Sequence, residues 1–368
     1  MYKNEMKKKI LFFMPSFEGG GVEKNIIIIA NNFIKRNVDV SILTANSEIK
    51  QKFSKKIKFI SPKNGFWSSK IRFVKYILCI FFLFLEFKKN RNFDVFCFQG
   101  NIVCTIFCKI FGLKIVIRPN SSPSGWSKNF LKQIMFSKIL KLSNIIVVNS
   151  IYFKKELKSK FNVKSKCIYN PLNKREILSL SKKSINFKFY EKDSLNLISV
   201  GRLVDQKDHI TILKAINNIK DQTKLRLLIV GEGKNKKDLI EYINQNQLNK
   251  IVKIKDRIDN PFPYLKKAEI MILASKYEGL PNVLLEAISL KKFIISSNCP
   301  TGPKEILDNG KGGFLFNVGN YIKLSKMILI YKNNKKIYSK MKRISYQRLD
   351  RFNLEKNLDK YYELFKNL

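Results

Sequence analysis

The stretch Ser275–Ala287, SKYEGLPNVLLEA, holds one carboxylate at Glu278 and another at Glu286, with seven residues between them. Gly279, Pro281 and Asn282 stand beside the first, and a mostly apolar run leads to the second. The preceding EIMILAS reads as a strand and KYEG as a loop at its carboxyl end. Pro281 is expected at the first helical position, where its fixed φ and missing N–H cost nothing. NVLLEAISL then continues as the helix. The backbone N–H groups of Asn282, Val283 and Leu284 are expected free at that end, which makes a ready anion site suited to phosphate. Glu278 precedes this terminus and Glu286 lies more than a turn inside it, so the two are not an adjacent acid/base pair. They suit two acceptors that take hydrogen bonds from different hydroxyl-bearing parts of one ligand, with a phosphate between them. A sugar, a diphosphate and a ribose match that order.

A second stretch has complementary charge. SVGRLVDQKDH places Arg202 just after a strand and Lys207 five residues on, in a loop before a helix. Two cations at a strand end suit a diphosphate, and they would stabilise negative charge on a leaving diphosphate. A third stretch, FEGGGVEKN, sets three glycines at a strand–helix turn, where the backbone can approach a ligand closely. It lacks the third spaced glycine of a dinucleotide fingerprint, which weakens a dehydrogenase reading, and it lacks the G-K-[ST] of a Walker loop. VGEGK, Val230 to Lys234, is a fragment of the same glycine-rich kind.

The chain that must position these residues has 368 of them, long enough for two domains. Its hydrophobic content of 45% suits packed cores. The first half alternates short apolar runs (KILFFMP, VDVSILTA, FDVFCFQ, KIVIRPN, NIIVVNS) with helical patterns, as parallel βαβ units do. The pattern restarts with LNLISVGRL, LRLLIVGEG, IVKIKD, EIMILAS and FIISSN. The expected architecture is α/β, with two Rossmann-like domains facing across a cleft. Ligands would bind there, at the carboxyl ends of the strands. The expected boundaries are 1–178 for the first domain, 179–194 for a polar linker, 195–340 for the second domain and 341–368 for a helical tail. The C-terminal helix is expected to pack back on the first domain.

Bulk composition narrows the partners. The chain carries 71 Lys+Arg against 28 Asp+Glu, a formal net charge of +43. Such a chain attracts anions: nucleic acid, anionic lipid or a phosphorylated substrate. Its richness in Lys, Asn and Ile equally fits compositional bias spread over a solvated surface. The six cysteines lack paired metal-ligand spacing and His209 is the sole histidine, so no metal site is expected and the thiols read as reduced core residues. The start, MYKNEMKKKILFFMPSFEGGG, imitates a signal peptide, but its apolar run is short, is cut by Pro15 and precedes no small-residue cleavage site. FVKYILCIFFLFLEF, Phe73 to Phe87, falls short of the roughly 20 residues needed to span a bilayer. It reads either as a buried helix of the first domain or as a helix lying in a membrane interface.

SVGRLVDQKDH, IVGEGK, EGLPNVLLEA and NCPTGPKEIL, in this order and spacing, resemble the donor-binding half of glycosyltransferase family 4, the retaining nucleotide-sugar enzymes of GT-B fold. GGGVEKNIIIIAN is similar to that family's first glycine loop and helix. The resemblance is strong from Leu195 to Leu307 and looser before it.

By position, the resemblance implies that Arg202 and Lys207 bind the donor diphosphate. Glu278 would contact and orient the donor sugar, and Glu286 would bond the nucleoside ribose. The turn Gly279, Leu280, Asn282 and Val283 would present amides to sugar and phosphate, and Gly20 and Gly21 would close over the phosphate. Arg202, Lys207 and Glu278 are then the catalytic set. No metal or other cofactor is implied beyond the nucleotide sugar as co-substrate, with a UDP-sugar favoured and GDP-mannose next.

Many members of that family place a histidine on the acceptor side. The corresponding IVIRPNSSPSGW has none and offers Arg118 and Asn120. Arg118 reads either as holding a phosphate or acceptor hydroxyl, or as a structural ion pair. His209 reads as a helix-start residue rather than a catalyst. The implied reaction is sugar transfer with retention, by same-face internal return rather than a carboxylate nucleophile. The acceptor would be a glycan or lipid-linked hydroxyl in cell-surface polysaccharide or lipopolysaccharide synthesis, at the cytoplasmic face of the plasma membrane. An anionic membrane surface is an expected partner of the basic chain and nucleic acid is not. Two alternatives stand beside this reading. A nucleotide-sugar epimerase or hydrolase of the same fold would interconvert the donor or release free sugar without an acceptor. A basic nucleic-acid-binding protein would bind generic RNA or DNA in a salt-dependent way and be indifferent to Glu278→Ala.

Overall fold

Parallel strands covered on both faces are apolar throughout, because neither side of the pleat meets water. Leu11, Phe12 and Phe13 are such a run, and so are Ile270 to Leu273; all are buried. In the computed structural model, which describes residues 9–17, 19–46, 48–62, 72–120, 129–334 and 338–368, these runs build two parallel sheets. Met1 to Lys8, with the signal-like start, and Ser121 to Lys128, with the SSPSGW of the acceptor-side stretch, lie outside the described residues.

The first sheet contains β1 (Lys9–Phe13), β2 (Asp39–Leu43), β3 (Lys58–Ile60), β4 (Asp94–Cys97), β5 (Ile115–Ile117), β6 (Ile145–Val148) and β7 (Lys166–Cys167), in the order β3-β2-β1-β4-β5-β6-β7. The second contains β8 (Leu195–Val200), β9 (Leu225–Val230), β10 (Val252–Lys255), β11 (Ile270–Leu273), β12 (Phe293–Ser297) and β13 (Phe314–Phe316), in the order β10-β9-β8-β11-β12-β13. Each sheet starts at a central strand, builds outward to one side, then crosses to the other. That reversal leaves a crevice outside the carboxyl ends of β1 and β4, and another outside those of β8 and β11, the place where such sheets bind ligands.

The chain forms two units. The first comprises Met1–Pro171 with Glu355–Leu368, and the second comprises Leu172–Leu354. The boundary thus falls earlier than residue 178. The stretch 179–194 is docked on the second unit rather than spanning as a linker. Tyr190 donates its hydroxyl to the Leu197 carbonyl at 2.8 Å, and the rings of Phe187 and Tyr264 meet edge to face at 4.9 Å. Its polar lysines and serines hide three aromatic anchors. The tail divides too. Residues 341–354 stay with the second unit. The helix Leu354–Lys366 turns Tyr361 and Phe365 into the first unit's core, where Phe365 packs near Phe33 and Phe96. The expectation that the C-terminal helix packs on the first domain holds.

The apolar stretch Phe73 to Phe87 forms most of the helix Arg72–Lys89. It satisfies neither reading alone: Leu78, Cys79, Leu83 and Phe87 are buried while Phe73, Ile77 and Phe81 are exposed. No helix among the described residues is long and apolar enough to cross a membrane.

Candidate active site

β8 delivers the first two cations. At its end Gly201 donates to the Val230 carbonyl at 3.0 Å, and the loop that follows is pinned by Leu203 N–H to the Glu232 carbonyl at 2.7 Å. Glycine is needed across this contact. A Cβ on Gly233, whose φ is +156°, would lie 2.3 Å from the Leu203 carbonyl oxygen, and one on Gly231 would lie 1.9 Å from that of Gly201. The VGEGK glycines therefore let two strand ends press together; theirs is a supporting role. Arg202 projects from this loop and is exposed. Lys207 lies over Gly201, where a Cβ would meet its Cδ at 3.6 Å. His209 starts the helix His209–Asn217 and is buried, which agrees with its reading as a helix-start residue. Burial first, and then the nearby Lys207 charge, pushes its pKa down to about 3, so it is neutral.

β11 delivers the carboxylates. Glu278 is 7% exposed and its Oε1 accepts from Ser275 Oγ at 2.6 Å. The turn after it is braced by β12 and its loop. Ser297 Oγ donates to the Ser275 carbonyl at 2.6 Å, and Thr301 Oγ1 donates to the Glu278 and Gly279 carbonyls at 2.7 and 3.1 Å. Gly302 then passes so close that a Cβ would lie 2.5 Å from the Gly279 carbonyl oxygen.

The helix Asn282–Ser289 follows, with two departures from expectation. Pro281 has φ −71° and ψ 104°, so it is the extended residue before the helix and not its first member. Leu284 N–H bonds the Pro281 carbonyl at 3.1 Å, so it is not free. Asn282 and Val283 are the first two residues of the helix. Leu280 and Glu286 are buried, Glu286 on the flank of this helix at 6% exposure.

Because β8 and β11 are neighbours, with Leu197 opposite Ile270, the two loops meet at the switch point. Lys207 Nζ lies 2.5 Å from Glu278 Oε1, and Gln206 Nε2 reaches the Tyr277 carbonyl at 2.9 Å. The carboxylate thus takes hydrogen bonds from a cation and a hydroxyl on one oxygen. Buried Cys299 lies nearby; burial and then the Glu278 charge push its thiol up to about 12, which keeps it unreactive. Ser275, Thr301 and Gly302 stand inside or beside the sequence motifs, yet motif reading gives them no role. A hydroxyl three residues before the first Glu is the signal that could have found Ser275. Among the described residues no three His, Cys, Asp or Glu side chains come together as a metal would need.

The remaining candidate residues belong to the first unit. Gly20 has φ −173°, extended backbone open to any residue, and a Cβ there would meet nothing within 4 Å. Gly21 opens the helix Gly21–Lys35. The conformation that demands glycine is at Gly19, with φ 77°, whose N–H donates to Glu23 Oε1.

Arg118 is 0% exposed. Its Nε donates to Tyr361 Oη at 2.9 Å, Nη2 to Asn170 Oδ1 at 2.6 Å and Nη1 to Asn120 Oδ1, and its guanidinium lies 5.4 Å from the centre of the Phe98 ring. Among the described residues these three partners are neutral, so the structure shows a buried brace rather than an ion pair, and full burial does not suit an acceptor contact. Asn120, half-buried, spends its amide on the Phe98 carbonyl at 2.5 Å and is part of the same brace.

Residues 181–348 match the family model described as Glycosyl transferases group 1. The chain is 32% identical over 190 residues to the uncharacterized glycosyltransferase MJ1059 of Methanocaldococcus jannaschii, covering 48% of this chain and 47% of that protein. It is 26% identical over 369 residues to the GalNAc-alpha-(1->4)-GalNAc-alpha-(1->3)-diNAcBac-PP-undecaprenol alpha-1,4-N-acetyl-D-galactosaminyltransferase of Campylobacter jejuni, covering 97% and 98%. Its fold is similar to that of Anabaena Alr3699/HepE, solved in complex with UDP-glucose, with a TM-score of 0.76 at 16% identity over 98% of this chain and all of that one. With two Rossmann-like units and glycosyltransferase relatives along its length, the chain is a glycosyltransferase of GT-B fold whose group 1 glycosyl transferase domain lies in residues 181–348.

Proposed function

We propose that this glycosyltransferase belongs to the retaining family 4 kind and moves a sugar from a nucleotide diphosphate, with UDP favoured, to a hydroxyl of a glycan or lipid-linked acceptor in surface polysaccharide synthesis. The observation that carries the reading is the meeting of Lys207 and Glu278 at the β8/β11 switch point, beside the N-terminus of the helix that holds Glu286. Arg202 and Lys207 hold the diphosphate and offset the charge that develops on it as the sugar leaves. The amides of Gly279, Leu280, Asn282 and Val283 meet sugar and phosphate, Glu278 orients the sugar, and Glu286 accepts from the ribose. The leaving phosphate takes the acceptor's proton on the same face, and no metal is required.

The complex of the Anabaena neighbour with UDP-glucose supports the choice of UDP. The undecaprenol-linked acceptor and α-linkage in the name of the Campylobacter relative support a lipid-linked acceptor and retention from an α-linked donor. The test is incubation with a panel of nucleotide sugars and undecaprenyl-diphosphate glycans in chelator. An α-linked product from one UDP-sugar class supports the proposal. A β-linked product, strict metal dependence, or donor hydrolysis with no transfer to any acceptor contradicts it.

A further inference from the structure

Three helices of the first unit, Arg72–Lys89, Asn101–Ile110 and Phe130–Leu140, pack into one core. Leu83, Phe107 and Leu140 are buried there in one cluster with Leu11, Val95 and Ile117. Helices that cover a sheet on one side ordinarily turn polar residues outward. These do not. Ile77 and Phe81 on the first are 56% and 54% exposed, Ile106 and Ile110 on the second 39% and 70%, and Leu131 and Met135 on the third 73% and 45%. The second helix packs against both the first and the third.

The charge on this face has one sign. Between Arg72 and Leu142 the sequence holds two carboxylates, Glu86 and Asp94, and both are buried. Lys88, Lys89, Lys109, Lys132 and Lys138 are exposed on the same three helices. Exposed apolar side chains on three neighbouring helices, with no exposed carboxylate between Arg72 and Leu142, are the kind of surface that marks an interaction site. A second copy of this face is a poor occupant, because it would bring lysine against lysine in a chain of net charge +43. An anionic bilayer satisfies both features. Apolar side chains enter the boundary between headgroups and acyl chains, and lysines reach outward to the phosphates on their flexible stems.

We propose that this three-helix face docks on an anionic phospholipid bilayer. The proposal rests on the acceptor reading for its purpose, since a lipid-linked glycan is met at such a surface, and on the face itself for its test. That test is co-sedimentation of the full chain with phosphatidylcholine vesicles with and without phosphatidylglycerol, at low and high salt, beside I77E/I110E/L131E and, independently, K109E/K132E. The wild type is expected to sediment with anionic vesicles, less so at high salt. Both variants are expected to bind at least about tenfold more weakly with unchanged melting temperature. Failure of the wild type to bind either vesicle overturns the proposal. So does binding by both folded variants equal to the wild type, or self-association through this face without vesicle binding. Titration of UDP into the same proteins reports on the transferase reading separately, so either can fail alone.

Discussion

Lys207 Nζ and Glu278 Oε1 stand 2.5 Å apart although 71 residues separate them in the chain. The cation proposed for the diphosphate is held by the carboxylate proposed for the sugar. A diphosphate must share Lys207 with Glu278 or draw it away, so the two residues make opposite contributions to nucleotide binding. Glu278→Gln is expected to leave UDP affinity unchanged or tighter while kcat for the UDP-sugar falls by about 10² to 10³. Lys207→Ala is expected to weaken UDP binding and lower kcat together. Steady-state kinetics with UDP inhibition separates the two patterns.

Gly302→Ala tests whether the turn after Glu278 is held from behind. The added Cβ would meet the Gly279 carbonyl oxygen at 2.5 Å at a position whose φ is +50°. It should displace the turn that aims Glu278. Turnover is expected to fall by roughly a hundredfold, since about 1 Å of misplacement has that effect. A variant as active as the wild type would show that this loop does not aim the carboxylate.

His209 sets an acid limb to stability. Its folded pKa is about 3 against an ordinary 6.5. Below 6.5 the unfolded chain takes up a proton that the folded chain refuses, so stability from this residue is complete above about 6.5 and is lost as pH falls toward 3. His209→Gln is expected to flatten the melting temperature between pH 6.5 and pH 4 relative to wild type. The pH–rate profile near neutrality should be unchanged, because the imidazole is neutral throughout.

The Arg118 brace belongs to folding. Tyr361→Phe removes the acceptor of a buried guanidinium N–H and should cost about 1.5–3 kcal/mol in denaturant unfolding of the first unit. UDP affinity should be unaffected, because the nucleotide is assigned to the second unit.

What the sequence can reveal follows from the range of each interaction. The buried runs of β1, β8 and β11 are legible because a strand covered on both faces is apolar in every position. β3 and β13 escape sequence reading: each is three residues long and the outermost strand of its sheet, with Lys58 exposed and Phe314 and Leu315 only half-buried. That Arg202 and Lys207 follow β8, and that Glu278 and Glu286 flank the turn after β11, is legible because these motifs are local. The Lys207–Glu278 pairing is not, since it exists only because β8 and β11 are neighbours. Arg118 looks like an acceptor or ion-pair residue in sequence because its partner Tyr361 lies 243 residues away. Pro281 is expected one step too far into the helix because composition does not specify ψ.

The central claim is that the second unit holds a nucleoside diphosphate between Lys207 and Glu286. Calorimetric titration of UDP in chelator, into wild type and Glu286→Ala, tests it most directly. The expected result is binding by the wild type and at least about tenfold weaker binding by the variant, because a ribose hydroxyl loses a buried charged acceptor. Equal affinity for both proteins, or no binding of UDP, GDP or their sugars by a folded wild type, would contradict it.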